Sequence, residues 1–427
     1  MRLLSDTFLL SLALWLGPGV LASPLLREQL DLPDLSQYVP HGSLSGKQLH
    51  LGDSASRAII VGDIHGMYDS LQRLLREVHY NPTKDTLLHV GDISTRGPQY
   101  HSVLTFLSSH NISGVRGNND QAVIEWRAWI EWITRLEKGA GRRWLESLES
   151  RWAADRQEPG FEMEVEEWTE RQKHKCKKQH RRWWKTIPEG WQLFTDQYNV
   201  ARALVPKHYE YLRSLPVVLH LPSEHTFIVH GGLLPYDPTR RETSSRQPLA
   251  RVPHGSSIPA LRKSQERAIL HDIKHNTDPW VVMNIRSVLN NNTISRSKEE
   301  GTPWADIWNR AMGRCGGYGA HDLSRGSDLP CLPSTVVYGH TASRGLDISR
   351  WTVGLDTGCV YGRQLTAMVI QTPHQHKAST ADDEDEDFPE TPASIPFGDS
   401  GRARLVSVPC PSQEGEDFMT AQRVLTM

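Results

Sequence analysis

The 427-residue sequence has no C-x-x-C pair; its five cysteines, at 176, 315, 331, 359 and 410, are scattered and odd in number. A thiolate zinc site of the paired kind is therefore not expected. Cys315 and Cys331 are spaced to bridge a loop in an oxidising compartment, and free buried thiols are the alternative. A net charge excess is also missing: the formal charge is -2 and the pI about 6.9, so nothing global points to nucleic acid. Apolar residues are scarce, at 38% with a mean hydropathy of -0.50, which is low for a wholly globular chain and places some polar segments outside the fold. No internal repeat of solenoid length is present. What the sequence does contain is locally organised: a basic run in mid-chain, an acidic run near the end, and an apolar leader.

The leader, "MRLLSDTFLLSLALWLGPGVLASPLLR", carries an apolar stretch from Phe8 to Leu16, a Gly-Pro break, and small residues at Ala22 and Ser23. This is the pattern of a signal peptide over residues 1–22. Residues 7–26 carry no charge, close to the ~20 residues a membrane span needs, so a retained signal anchor is the second reading. The Gly-Pro break favours cleavage. Sequons at Asn111 and Asn291 agree with passage through the secretory pathway. The expected destination is a vacuole lumen or the exterior, with membrane anchoring through the leader as the alternative. The sequence carries no signal for an oligomeric state.

From Arg57 onward, short β-branched runs alternate with amphipathic helical patterns. "RAIIVGD", "DTLLHVGD", "ISGVRGNND", "TFIVHGG" (226–232), "TVVYGHT" (335–341), "TVGLDTG" (352–358) and "TAMVIQT" (366–372) read as strands that end in turn residues. Such alternation implies a layered α/β fold, a central β-sheet flanked by helices, with functional loops at the strand ends. Residues 121–210 hold nine of the 14 tryptophans and read as a helical, Trp-rich and basic insertion on that core. Residues 239–275 read as a long polar loop. The α/β domain is expected over 57–372, and residues 373–427, with "DDEDED" and several prolines, as a disordered acidic tail.

The chemistry sits at the strand ends. "GDIHG" offers Asp63 and His65, which can face one side because they alternate with Ile64. "GDISTRGP" offers Asp92 and Arg96, "GNND" offers Asn118, "VHGG" offers His230 and "YGHT" offers His340. Mixed carboxylate, imidazole and carboxamide ligands suit borderline or hard divalent ions. A carboxylate such as Asp92 can bridge two ions. Ions about 3.5–4 Å apart clamp a phosphoryl group and acidify a shared water. Each piece alone is a weak signal, since Gly-Asp after a strand is often only a turn.

Taken together, Asp-x-His, Gly-Asp-x-x-x-Arg-Gly, Gly-Asn, His-Gly-Gly and Gly-His resemble the calcineurin-like metallophosphoesterases, the superfamily of the Ser/Thr protein phosphatases. "GLDTGCVYGRQLTAMVI", "HYEYLRSLPVVL" and "VVMNIRSV" further resemble the bis(5'-nucleosyl)-tetraphosphatase-like branch and, within it, the fungal vacuolar zinc-dependent endopolyphosphatases. The resemblance covers roughly residues 57–372. It implies two divalent ions, with Zn, Mn, Co or Fe as candidates. Asp63, His65 and Asp92 would hold one ion, and Asp92, Asn118, His230 and His340 the other. Asp92, Arg96 and Asn118 would carry catalysis, with Arg96 gripping the transferred phosphoryl oxygens through its planar fork. Arg286 in "MNIRS" is the candidate second substrate-binding arginine; a helix-surface cation is the competing reading.

The family pattern usually has Gly-Asn-His, and the protein phosphatases an aspartate before the arginine of the second motif. Here those positions are Asn119 and Thr95. The missing histidine normally assists departure of the leaving oxygen, an effect of typically ~10²–10⁴-fold. A phosphate leaving from a phosphoanhydride is already a stable anion and needs less help. The expected activity is therefore phosphoanhydride hydrolysis, with inorganic polyphosphate as the leading substrate. The alternatives are a phosphoprotein or dinucleoside-tetraphosphate phosphatase, or a non-catalytic polyanion-binding relative. The basic run "RQKHKCKKQHRRWWK" (171–185) is expected either to guide an anionic polymer or to form a solvated helix face.

Overall fold

The computed structural model describes residues 32, 34, 35, 37–49, 56–176, 180–319, 328–371, 394–399 and 401–412. The leader and most of the acidic tail lie outside these. The first half of the chain supplies strands β1 (Val39–Ser43), β2 (Arg57–Val61), β3 (Asp85–His89), β4 (Ser113–Gly114), β5 (Pro216–Leu221) and β6 (Thr226–Val229). The second half supplies β7 (Ser287–Val288), β8 (Ile294–Ser295), β9 (Thr302–Pro303), β10 (Thr335–Tyr338), β11 (Asp347–Ser349) and β12 (Thr352–Gly354). It ends with β13 (Gln364–Gln371), β14 (Ser394–Phe397) and β15 (Gly401–Pro409).

These form two six-stranded sheets, in the orders β1-β5-β6-β10-β12-β11 and β14-β15-β13-β2-β3-β4, and a small sheet β8-β7-β9. The layered α/β arrangement is present, with two sheets at its centre where the sequence suggested one. Strand alternation explains the packing. In β2, Ala58 and Ile60 face the other sheet and meet Ile228, Val337 and Val353 from it, while Ile59 and Val61 face the helices. β2, β3 and β4 run parallel, as do β6, β10 and β12, so their C-terminal ends deliver loops to a shared edge.

Helices α1 (Tyr68–Glu77) and α2 (Tyr100–Ser109) cross between parallel strands, as right-handed βαβ connections do. The Trp-rich segment forms α3 (Asn118–Arg135), α4 (Ala140–Asp155), α5 (Val165–Lys175), α6 (Arg181–Trp184), α7 (Asp196–Ala203) and α8 (Pro206–Ser214). Its tryptophans are structural: Trp126, Trp129, Trp144, Trp168, Trp183 and Trp184 are buried in one apolar cluster with Ile59 and Val61 of β2. Three residues of the basic run are ion-paired: Arg171 with Glu167 at 2.6 Å, Arg182 with Glu137 at 2.5 Å, and Lys173 with Glu170.

Three expectations are corrected. The stretch 239–275 is not all loop, because α9 (Ile258–His271) lies within it, started by Ser257 and a proline in its first turn. Its buried face carries Arg262, Gln265 and Glu266 beside Ile269 and Leu270, so the apolar periodicity that marks a helix is broken. Polar partners compensate: Glu266 takes His220 and His225 at 2.8 Å each, and Arg262 reaches Asp399. Second, residues 394–399 and 401–412 do not belong to a disordered tail. β15 pairs antiparallel with β13 from Gln364 to Ile370, and Ala403, Leu405, Val406 and Val408 are buried. Third, the domain starts before residue 57, since β1 pairs with β5. Its "VPHGS" carries too few apolar residues to signal a strand.

The cysteines settle into pairs: Cys315 with Cys331, and Cys359 with Cys410 across a separation of 51 residues. Cys176 is free. The second bridge ties the end of β15 to the turn that precedes β13. Replacing Cys410 by Ser should lower the stability by about 2–4 kcal/mol, read as a lower melting temperature in a calorimetric scan. An unchanged transition would contradict a stabilising role for that bridge.

Candidate functional site

The loops after β2, β3, β6 and β10 and the start of α3 converge at one sheet edge. Ligand atoms of Asp63, Asp92 and His230 all lie within 4.8 Å of one another, and the three residues form a buried group able to hold a metal ion. Nε2 of His65 is 3.6 Å and Nε2 of His230 is 3.4 Å from Oδ2 of Asp92. Asn118 places Oδ1 3.0 Å from Nε2 of His230. The His340 ring stands 5.0 Å from that of His230, centroid to centroid, and its backbone N–H donates to Asp63 Oδ2 at 3.1 Å. The six side chains singled out in the sequence therefore share one cluster. His65, Asp92, Asn118 and His340 also line a cavity of about 520 Å³.

The backbone is bent to achieve this. His65, Asp92, Arg96 and His340 have φ of 44°, 50°, 71° and 73°, the left-handed region that costs a non-glycine residue about 1–3 kcal/mol. Two glycines make room: a Cβ on Gly117 would collide with the Asp92 carboxylate, and one on Gly339 with that of Asp63. The loops lock to each other through His65 N–H donating to the Asp92 carbonyl at 2.8 Å. Asp120 binds them further, its carboxylate accepting from Ile93 N, Gly117 N and Ser94 Oγ. It thus braces the loops and the start of α3.

Charge is concentrated here on buried side chains. Burial pushes the Asp92 carboxyl up, but the His230 imidazole, His65 and the Asn119 amide outweigh this and hold it far below the usual carboxylate range. Burial disfavours the His230 cation, yet Asp92 and Asp63 lift it to about 10. Burial lowers His65 to about 4 and, with the His230 charge and Arg286, lowers His340 well below its ordinary value. Asp63 is raised well above the usual range by burial and by Asp356. The His230 ring is oriented from behind: Nδ1 donates to Val90 O at 3.0 Å, which leaves Nε2 for the site. Nδ1 of His65 is buried without a hydrogen-bond partner. A buried orphan nitrogen, a carboxylate–imidazole pair and a carboxamide oxygen together form a donor set that fits a divalent cation.

Arg96 and Arg286 both reach this cavity. Arg286 is no free surface cation, since its guanidinium donates to Arg296 O and His340 O at 3.0 Å each. Arg96 has its guanidinium against the Tyr361 hydroxyl, and its backbone N–H donates to Asp196 at 2.5 Å. Asn119 donates to Asp92 Oδ2 at 2.6 Å and accepts from Gln197 at 2.8 Å. Asp196, Gln197, Asp356, Tyr361 and Arg363 were not singled out in the sequence. Asp356 ends a strand as the other site carboxylates do, which was a usable signal. Asp196 and Gln197 belong to the helical segment and carried none.

This strand-end cluster defines a metallophosphoesterase site. The calcineurin-like phosphoesterase family matches residues 56–344, more than half of the chain, and the chain belongs to that family. Its members use two divalent metal ions. The chain is similar to serine/threonine-protein phosphatase 1 of Salmonella typhimurium, 38% identical over 87 residues, or 18% of this chain and 40% of that protein. It is also similar to the symmetrical bis(5'-nucleosyl)-tetraphosphatase of Haemophilus ducreyi, 24% identical over 340 residues, or 73% of this chain and 95% of that one. A solved structure of a candidate diadenosine tetraphosphatase covers 87% of this chain and 99% of its own at 20% identity, with a TM-score of 0.44. The chain spans only 40% of the length of that Salmonella typhimurium phosphatase and 36% of serine/threonine-protein phosphatase 2 of Escherichia coli, to which it is also similar.

Because His230 titrates near 10 in the metal-free protein, it is protonated at pH 8, and a divalent ion must displace that proton. Metal affinity should therefore rise with pH up to about 10. Titration calorimetry of Zn or Mn into metal-free protein should give an enthalpy that varies with the ionisation heat of the buffer. An enthalpy independent of buffer would contradict the protonated state of His230.

Proposed function

We propose that this protein hydrolyses phosphoanhydride bonds, with inorganic polyphosphate as the leading substrate. In this reading Asp63, His65 and Asp92 hold one divalent ion. Asp92, Asn118, His230 and His340 hold the other. When bound, such a pair of ions polarises the phosphoryl group and acidifies the attacking water. Arg96 and Arg286 bind the equatorial phosphoryl oxygens and stabilise the charge that develops on them. Both guanidinium groups are held by neutral partners, so their charge is available to the substrate.

The observation that carries the proposal is the state of Asn119. Its carboxamide has no acidic proton, and both ends are already engaged, one by Asp92 and the other by Gln197. Nothing at that position assists a poor leaving group. An alkoxide from a serine or threonine ester would leave slowly, whereas a phosphate leaves as a stable anion. A dinucleoside tetraphosphate meets the same criterion, and the tetraphosphatase of Haemophilus ducreyi aligns with 73% of the chain. It is therefore the second reading.

We place the protein in the secretory pathway. Two disulfides suit an oxidising compartment, and Asn111 and Asn291 of the sequons are exposed. Among the described residues no helix is long and apolar enough to cross a membrane, and the leader lies outside them.

The assay compares long-chain polyphosphate, a dinucleoside tetraphosphate and a phosphoserine peptide with Zn, Mn or Co present. Polyphosphate should be shortened fastest, and Asp92→Asn should remove turnover on all three. Faster turnover of the phosphopeptide would defeat the leaving-group argument. Asn119→His should raise alkyl phosphate ester hydrolysis by up to about 10²-fold while changing polyphosphate cleavage less. Equal effects on both substrates would rule out this account of Asn119.

A further inference from the structure

The turn between β12 and β13 contributes nothing to the metal cluster, yet it faces the same cavity. It is held in place by several independent restraints. Cys359 is bridged to Cys410, the Cys410 N–H donates to Arg363 O at 2.8 Å, and Gly358 and Gly362 both have φ of 74°. This fixed turn presents two exposed side chains to the cavity, Tyr361 and Arg363. The Tyr361 hydroxyl meets the Arg96 guanidinium.

Arg363 is anchored by donating from Nη2 to Ala342 O at 2.6 Å. A carbonyl orients a guanidinium without cancelling its charge. Among the described residues neither Arg96, Arg286 nor Arg363 makes an ion pair with a carboxylate, whereas Lys298 at the same rim is paired with Glu299 at 3.4 Å. Asp356 lines the cavity too and feels the Arg363 charge, but its carboxylate accepts from the Gly358 N–H at 3.2 Å and makes no ion pair with Arg363. A cavity of about 520 Å³ is of the size that holds an extended ligand and exceeds the need of one phosphate group.

We propose that Arg363 forms a second phosphate-binding subsite, which holds the phosphate unit next to the one being transferred. Arg96 and Arg286 serve the reacting phosphoryl group, and Arg363 selects substrates that carry a further phosphate beyond it. Tyr361 acts as a positioning residue that fixes the Arg96 fork. The ligand class is a condensed phosphate chain, inorganic or nucleoside-linked. This rests on the anhydride reading but is separable from it.

The test uses the metal-loaded full chain hydrolysing p-nitrophenyl phosphate, which has a single phosphate. A methylene-bridged triphosphate and orthophosphate are added as inhibitors. Arg363→Gln keeps a donor for Ala342 O and removes the charge. It should raise the inhibition constant of the triphosphate about tenfold more than that of orthophosphate, the loss expected for one charge-assisted contact. Arg363→Lys should restore part of the difference, and melting temperatures establish that each variant is folded. If both constants rise together, or neither moves, the subsite is overturned. A wild-type enzyme that leaves inorganic tripolyphosphate intact, yet shows the selective effect, would remove the proposed reaction and retain the subsite.

Discussion

The structure depends on a negative charge held almost wholly out of water, on a carboxylate that lines the cavity. Asp92 is buried, and an isolated carboxylate in such a place would protonate before it stayed charged. It remains ionised because His230 and His65 face it at 3.4 and 3.6 Å and because the Asn119 N–H and amide donate to it at 2.9 and 2.6 Å. Removing His230 would leave the Asp92 charge without its main counterpart. The same arrangement that is costly without a cation is suited to receiving one. A divalent ion bound here would take the place of the His230 proton and be held by Asp63, Asp92 and His230.

The rest of the fold makes that concentration of polar groups affordable. Two packed sheets provide an apolar interior, and their parallel strands end at one edge, so loops from distant parts of the sequence arrive together. Backbone strain at His65, Asp92, Arg96 and His340 persists because the strands on which they sit are anchored by Ile60, Val90, Ile228 and Val337. The helical segment adds more than bulk: Asp196 and Gln197 at the start of α7 reach back to Arg96 and Asn119. Through them the insertion, whose tryptophans only pack, takes part in shaping the site.

Much of this was legible in the sequence, for a physical reason. Strands that are β-branched and end in Gly-Asp, His-Gly-Gly or Gly-His combine period-two burial with ligand-bearing turns, and both signals are local. The six clustered residues and Arg96 all lay in such turns. What was not legible depends on pairing across the fold. β15 looked like tail because it follows an acidic run, and only its register with β13 makes it a strand. α9 was hidden by polar residues on its buried face, whose partners lie on β5, beside β6 and after β14. Arg363 and Tyr361 stood in plain view, but their role emerges only from the bridge to Cys410 and the cavity they overlook. In the basic run, Arg171, Lys173 and Arg182 have glutamate partners that the linear pattern did not single out.

The loops at this sheet edge would hold a pair of divalent ions, with Asp92 between them in the proposed arrangement. Crystals grown with Mn or Zn and measured at the metal absorption edge examine it without reference to any substrate. Two anomalous peaks about 3.5–4 Å apart beside Asp92 are expected. A single peak, or ions held by residues outside this cluster, would contradict that arrangement.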